Sequence, residues 1–471
     1  MKRFNKEWFI LGFVFLSILT LTLQFVGCGS SDDAPVVLTA QPLQTVVTTA
    51  VNLGTPVATA ANLRQPTTDA NKNMHVGIVA MHPYSSYANW QGCTDLAKRG
   101  FTTLCVDSNF TGNQYGYYGY EQHAPAIKAA VNYLRQQPGI TKVLLFGHSM
   151  GGPLMSFYQN IAENGTSACT GKEKLSPCVT TNLANLPAAD GVILFDTHLG
   201  EALATFTYID PAIISNTFGN RDASLDMFSV ANGYNLTTNG ATYTPAFRQK
   251  YLAAQAARNA QLNTSALDLL AQKRAATGDN TQMGDDIPFT IVGATSARLF
   301  QPDLDLLQCT QKPHTLLSHD GTRPFQVVCS VRIPSGGAAA GLSTSSTLNS
   351  NAHIWLGRMA MRTSGTYSQT INDLTGMDYS SATTTSVGNI PGVTKPLLLV
   401  SNGGHYFLRP AEMVFDAAKM ADKTYAITEG SVHGGTECTA CEAQEGLPNG
   451  YYGDTFARTM DYMSEWMRYR Y

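Results

Sequence analysis

Short apolar runs, each closed by a polar or glycine-rich turn, recur in two stretches of this chain. Val76–Met81, Phe101–Asp107, Val143–Phe146, Asp190–Asp196, Lys395–Ser401 and Thr424–Thr428 have apolar interiors with almost no polar alternation, the pattern of strands buried on both faces. Between them, Ala88–Arg99, Ala124–Gln136, Pro153–Ala162, Ala411–Ala421 and Thr455–Tyr469 show helical spacing. Strand and helix in alternation predict an α/β fold with a doubly wound, mainly parallel sheet. Ahead of it, β-branched stretches in Thr45–Leu63 ending at Arg64-Gln65-Pro66 predict a first antiparallel pair. The alternation lapses over residues 201–393. There one helix is clear, Ala246–Ala275, and the remainder is rich in Ser, Thr, Gly and Asn, as in Ser335–Ser350, with no internal repeat. Such an insertion between core strands reads as a cap over the sheet's C-terminal edge.

The first residues change this picture by adding an address. Lys2, Arg3 and Lys6 precede a nearly continuous apolar run from Trp8 to Leu23, the layout of an export signal. Phe25-Val26-Gly27-Cys28 follows and resembles a bacterial lipobox, in which the cysteine is lipidated; Phe25 departs from the usual leucine. The expected organisation is a signal peptide over 1–27, a tether over 28–44 starting at lipidated Cys28, an α/β core in two parts over 45–200 and 394–471, and a cap over 201–393. An uncleaved anchor or a simple signal peptide are the alternatives, and all three place the folded part outside the cytoplasm. Charged residues make up only 14% of the 471 and the net charge is -3. That balance gives no footprint for a nucleic acid. Without Cys28, eight cysteines remain, an even number suited to an oxidising compartment. Sequential pairing (Cys93/Cys105, Cys169/Cys178, Cys309/Cys329, Cys438/Cys441) is one of about 105 possible connectivities.

The chemistry centres on Gly147-His148-Ser149-Met150-Gly151-Gly152. A buried strand runs into it and a helix leaves it, the setting of a nucleophile elbow. The turn exposes the Ser149 hydroxyl and aims the following helix N-terminus at it, so that the Met150 N–H can meet a developing oxyanion. A second donor is expected at the end of the Val76–Met81 strand, in His82-Pro83-Tyr84. Pro83 has no N–H, which leaves Tyr84. Serine needs a base, and the base needs an anion to fix its tautomer. His433, after the last core strand and followed by Gly434-Gly435, is the best-placed base among ten histidines. His82, His198 and His405 also stand at strand ends, where they can line the site. The turn after the strand ending at Ser401, a common place for the acid, reads Asn402-Gly403-Gly404-His405 and holds no carboxylate. Asp196, at the end of the preceding strand, keeps the order serine, acid, histidine. Glu412, at the start of the next helix, is the alternative acid. Tyr115, Tyr117, Tyr118 and Tyr120 form an aromatic loop, either a substrate wall or a packing device. No metal is called for, since no H-E-x-x-H or similar ligand spacing occurs.

The elbow, together with Gly430-Ser431-Val432-His433, resembles the α/β-hydrolase superfamily. The aspartate of Leu194-Phe195-Asp196 and the Ser-Val-His around the base resemble platelet-activating-factor acetylhydrolase and dienelactone-hydrolase-like esterases; Gly-His-Ser-Met-Gly-Gly is also similar to cutinase-like polyester hydrolases. The resemblance covers 45–200 and 394–471. It implies a cofactor-free serine ester hydrolase acting on short acyl chains of lipids; the large cap and the aromatic loop would also suit a bulky or polymeric ester, and the lipobox would hold the chain to the outer face of a membrane. An amidase with the same triad, and a non-catalytic surface binding protein on the same scaffold, remain open at this stage.

Overall fold

The computed structural model describes residues 42–54, 59–69, 72–108, 118–217, 219–278, 287–294, 298–336 and 346–471. The expectations for the signal peptide and Cys28, and for Tyr115 and Tyr117, lie outside them. The first strands in chain order are β1 (Val46–Asn52), β2 (Ala60–Pro66), β3 (Val76–Ala80), β4 (Thr102–Val106), β5 (Lys142–His148) and β6 (Gly191–Phe195). The insertion supplies β7 (Pro288–Ile291), β8 (His314–Leu317), β9 (Phe325–Gln326), β10 (Leu348–Asn351), β11 (Arg362–Gln369) and β12 (Leu374–Asp378). The core closes with β13 (Leu397–Asn402) and β14 (Lys423–Thr428).

The main sheet runs β1-β2-β4-β3-β5-β6-β13-β14-β8-β9. β1, β2 and β4 pair antiparallel in turn. From β4 across to β8 every pairing is parallel. Successive residues of a strand face opposite sides, and the packing follows that period. Leu144, Phe146, Ile193, Phe195, Leu398 and Val400 meet Met460, Met463, Trp466 and Met467 of the closing helix Thr455–Arg470. Val143 and Leu145 face the other way, toward helices Ala124–Arg135 and Gly151–Asn164. Strand order, parallel register and helices on both faces together are the α/β-hydrolase fold. It places the C-terminal ends of β3, β5, β6, β13 and β14 along one rim.

The insertion is not wholly a cap. His314–Leu317 extends the parallel sheet beyond β14, and Phe325–Gln326 closes that edge antiparallel. Four residues flanked by polar loops are too short for a periodic signal. Their place is set by tertiary contacts, with the His314 ring 4.6 Å from that of Tyr425 on β14. Elsewhere in the insertion β7 pairs with β10 and β11 with β12. The expected helix spans Pro245–Thr277. Thr244 caps it by accepting from the Phe247 N–H, Pro245 opens it and Gly278 ends it in the left-handed region. Four disulfides join Cys93–Cys105, Cys169–Cys178, Cys309–Cys329 and Cys438–Cys441, the sequential connectivity.

Candidate active site

Backbone hydrogen bonds set the turn at the elbow. Ser149 adopts φ 55°, a left-handed conformation costly for a residue with a Cβ. It is fixed there because its N–H donates to Phe195 O at 3.0 Å, while its own carbonyl accepts from Gly152 N and His198 N. A Cβ at Gly151 would lie 2.6 Å from the Met81 carbonyl oxygen, so only glycine lets the elbow press against the end of β3.

The Ser149 hydroxyl lies 2.8 Å from His433 Nε2, and His433 Nδ1 lies 2.6 Å from Asp196 Oδ2. Three residues from the ends of β5, β6 and β14 thus form one chain of hydrogen bonds. The tautomer follows: Nδ1–H donates to the carboxylate, leaving Nε2 free to accept the serine proton. Asp196 is also left-handed, at φ 40°, and fully buried. Its Oδ1 accepts the Asn402 N–H at 3.1 Å. Burial pushes its carboxyl up, but the imidazoles of His405 and His433 pull harder, and the net effect holds it well below the usual range.

The strand ends around the triad add groups that its residues alone do not disclose. His405 Nδ1 lies 2.8 Å from the same Asp196 oxygen that serves His433. It stands in the turn after β13, where a carboxylate was sought and not found. The signal was therefore a histidine in the acid's usual place, reaching the acid from the neighbouring strand. His148, in the elbow, aims away from the serine hydroxyl but braces the base. Its Nε2–H donates to the His433 carbonyl at 2.8 Å and its Nδ1 pairs with Tyr87 Oη at 2.6 Å. Asn402 Nδ2 donates to that carbonyl as well, at 3.2 Å. The loop after β14 is further tied by the Ser431–Glu437 bridge, the Gly404 N–H on Ser431 O and the Cys438–Cys441 disulfide.

The two expected oxyanion donors differ. The Met150 N–H has no acceptor among the described residues and opens the helix Gly151–Asn164, as an oxyanion donor must. The Tyr84 N–H is instead taken by His82 Nδ1 at 3.1 Å, because Pro83 bends the chain so that residue 82 reaches residue 84. An oxyanion would have to displace that ring. The turn is otherwise firm, since the Pro83 carbonyl accepts from Ser108 Oγ and His123 Nε2. The Tyr84 ring lies 4.5 Å from the Arg358 guanidinium, whose partner is the buried Glu201.

Glu412, the alternative acid, lies elsewhere. It accepts from the N–H groups of Gln311 and Lys312, from His314 Nε2 and from Arg409, all within 2.9 Å. Its role is to fasten the β8 approach to helix Leu408–Ala417. Neither does it cap its own helix. Asp196, His405 and His433 present ligand atoms all within 4.8 Å of one another, a set that could in outline hold a divalent ion. The spacing suits direct contact of both rings with the carboxylate instead. Ligand atoms around a tetrahedral zinc stand about 3.3 Å apart, whereas both Nδ1 atoms sit at 2.6 and 2.8 Å from one carboxylate oxygen.

No protein-family model and no curated protein matches this chain. Among solved structures it is similar to the alpha/beta hydrolase GrgF from Penicillium sp. sh18, at 10% identity and TM-score 0.38, covering 90% of this chain and 98% of that one. Est1E from Butyrivibrio proteoclasticus matches at 8% identity and TM-score 0.36, with 90% and 99% covered. Carboxyl esterase 2 from Tuber melanosporum matches at 11% and 0.36, with 94% and 90% covered. At such scores the fold rests on this chain's own strand order and register.

Proposed function

We propose that this protein is a serine carboxylic-ester hydrolase. The reading is carried by the continuous relay from Ser149 Oγ through His433 to Asp196, at 2.8 and 2.6 Å. Ser149 attacks the ester carbonyl as His433 Nε2 takes its proton. The C–O bond of the tetrahedral intermediate then breaks, the imidazolium protonates the leaving alcohol, and an acyl group stays on Ser149. Water, deprotonated by the same nitrogen, releases the acid and restores the serine. Asp196 holds the imidazolium in place and balances its charge. The Met150 N–H meets the oxyanion, and one lost donor of this kind costs on the order of 10²–10³ in rate.

Lipid-like or bulky esters are the proposed substrates. Support comes from aromatic side chains around the rim, Tyr84, Tyr208, Tyr406 and Phe407, and from the insertion packed beside them. Export and lipid anchoring through Cys28 belong to the same proposal, and four disulfides suit an oxidising compartment.

The test is labelling by a fluorophosphonate probe in wild type and in Ser149→Ala, with paired p-nitrophenyl esters and anilides as substrates. Labelling and ester turnover lost in Ser149→Ala are expected. Anilides cleaved as fast as esters would make the chain an amidase. Wild type that neither labels nor turns over either substrate would make it a binding protein.

A further inference from the structure

Next to the triad the structure holds a buried cation without a counter-charge. Arg298 is 4% exposed. Among the described residues no carboxylate lies within ion-pair distance of it; Glu201, the nearest in effect, is paired with Arg358. Its guanidinium lies 4.0 Å from the centre of the Tyr208 ring, Nη1 donates to Tyr406 Oη at 3.1 Å, and Nε has no partner among the described residues. Nη2 lies 2.8 Å from Nε2 of His198. That contact is mismatched. The Gly200 N–H donates to His198 Nδ1 at 3.1 Å, and a neutral imidazole has only one accepting nitrogen. Two N–H groups, those of Gly200 and Arg298, therefore approach a ring that can accept only one of them.

The place is close to the reacting atoms. His198 follows Asp196 by two residues, and its N–H donates to the Ser149 carbonyl at 3.2 Å. Its ring packs on Phe407, which packs on His433. A cavity of about 20 Å³ is lined by His198 with Leu199, Leu203, Phe300 and Phe407. Tyr208 and Tyr406 are partly exposed and lead outward. A buried charge is held at a cost unless a partner compensates it.

We infer that Arg298 and Tyr406 Oη–H form a subsite for a carboxylate, so that the ester taken by Ser149 carries a second, ionised acid group, as the half-ester of a dicarboxylic acid does. The inference rests on the hydrolase reading for its substrate class. A carboxylate there supplies the counter-charge that Arg298 lacks and an acceptor for its unpartnered Nε–H.

The test compares the mono-p-nitrophenyl esters of succinic, glutaric and adipic acid with their neutral methyl-ester counterparts. For at least one chain length, wild type should favour the acid over the neutral ester by about 10- to 100-fold in kcat/KM. Arg298→Met should abolish the preference while changing the neutral substrate less than about threefold, and Arg298→Lys should restore part of it. Fluorophosphonate labelling of Ser149 shows that each variant is folded. Should Arg298→Met fail to fold, wild type decides alone, through competitive inhibition of neutral-ester hydrolysis by free glutarate but not by glutaramide. Equal rates on acid and neutral esters at all three lengths, with no inhibition by glutarate, would overturn the subsite. If Ser149 reacted with no ester and no probe, the hydrolase reading would fall by itself. A glutarate-induced rise in the melting temperature of wild type, absent in Arg298→Met, would then still support the subsite, and its absence in wild type would sink it.

Discussion

Asp196 answers to two imidazoles, and the consequences separate the residues around it. In Asp196→Asn the amide can present its N–H to His433 Nδ1 and trap the wrong tautomer. The equivalent change in a serine-protease triad costs about 10⁴ in kcat, and a loss of that order is expected here. Glu412→Gln should leave kcat within about twofold, because that carboxylate binds the β8 loop. It should nevertheless lower stability by about 1–3 kcal/mol through weakened buried bonds to Arg409, His314 and two backbone N–H groups. Equal loss of turnover in both variants would refute the assignment of roles. His405→Gln separates holding from reacting. His405 touches the acid but not the serine, and its ring is one of the two that keep Asp196 ionised against the cost of burial. Removing it takes away one of the two rings that favour the ionised carboxylate, so kcat should fall and its dependence on pH should change. The loss at neutral pH should stay far below that of Asp196→Asn. A profile unchanged in shape and position would show His405 to be packing only.

At the scale of elements, strand ends explain both what sequence reading reached and where it stopped. β3 to β6, β13 and β14 were legible because strands buried on both faces are apolar without alternation. The elbow was legible because its glycines are forced by backbone contacts such as Gly151 against Met81. Order along the chain then ranked His433 and Asp196. What stayed hidden depends on side chains meeting across strands, such as His405 on Asp196, His148 on the His433 carbonyl, or His82 on the Tyr84 N–H. No spacing rule encodes these. β8 was hidden for a related reason, as four residues cannot display a period. The same element yields a prediction. The β8–β9 pair lies between Cys309 and Cys329, a separation of 20 residues. Chain-entropy arguments give a closed loop of that length about 3 kcal/mol. Replacing both cysteines by serine should lower the unfolding free energy in denaturant by about that amount, with Ser149 still labelled by the probe. Loss of labelling at full stability would mean that the bridge serves the site instead of the sheet edge.

Across the whole molecule, the concentration of histidines at the rim sets how folding responds to acid. Burial above all, with the His433 charge adding to it at His82 and His148, holds His82 down to about 3, His123 to about 4 and His148 to about 3. In the unfolded chain each returns to about 6.5. Between about pH 4 and 6.5 the unfolded state therefore binds more protons than the folded one, and stability rises with pH through that window. Each ring contributes up to about 1.4 kcal/mol per pH unit, so three together approach about 4. The contribution is fully present above about pH 6.5 and is lost as pH falls. Asp196 acts in the same direction but later, since its depressed carboxyl loses its contribution only below the ordinary carboxylate range. Denaturant unfolding should thus give a nearly constant free energy from pH 7 to 8.5 and a steep fall below about pH 6. His82→Gln should lessen the slope by about one proton's worth. Equal stability at pH 7 and pH 5 would show that these rings are not kept neutral by the fold. Because His82 and His148 both pack at the elbow, the first protonation to succeed would loosen the turn that holds Ser149, so activity should fall at the same pH at which the fold begins to yield.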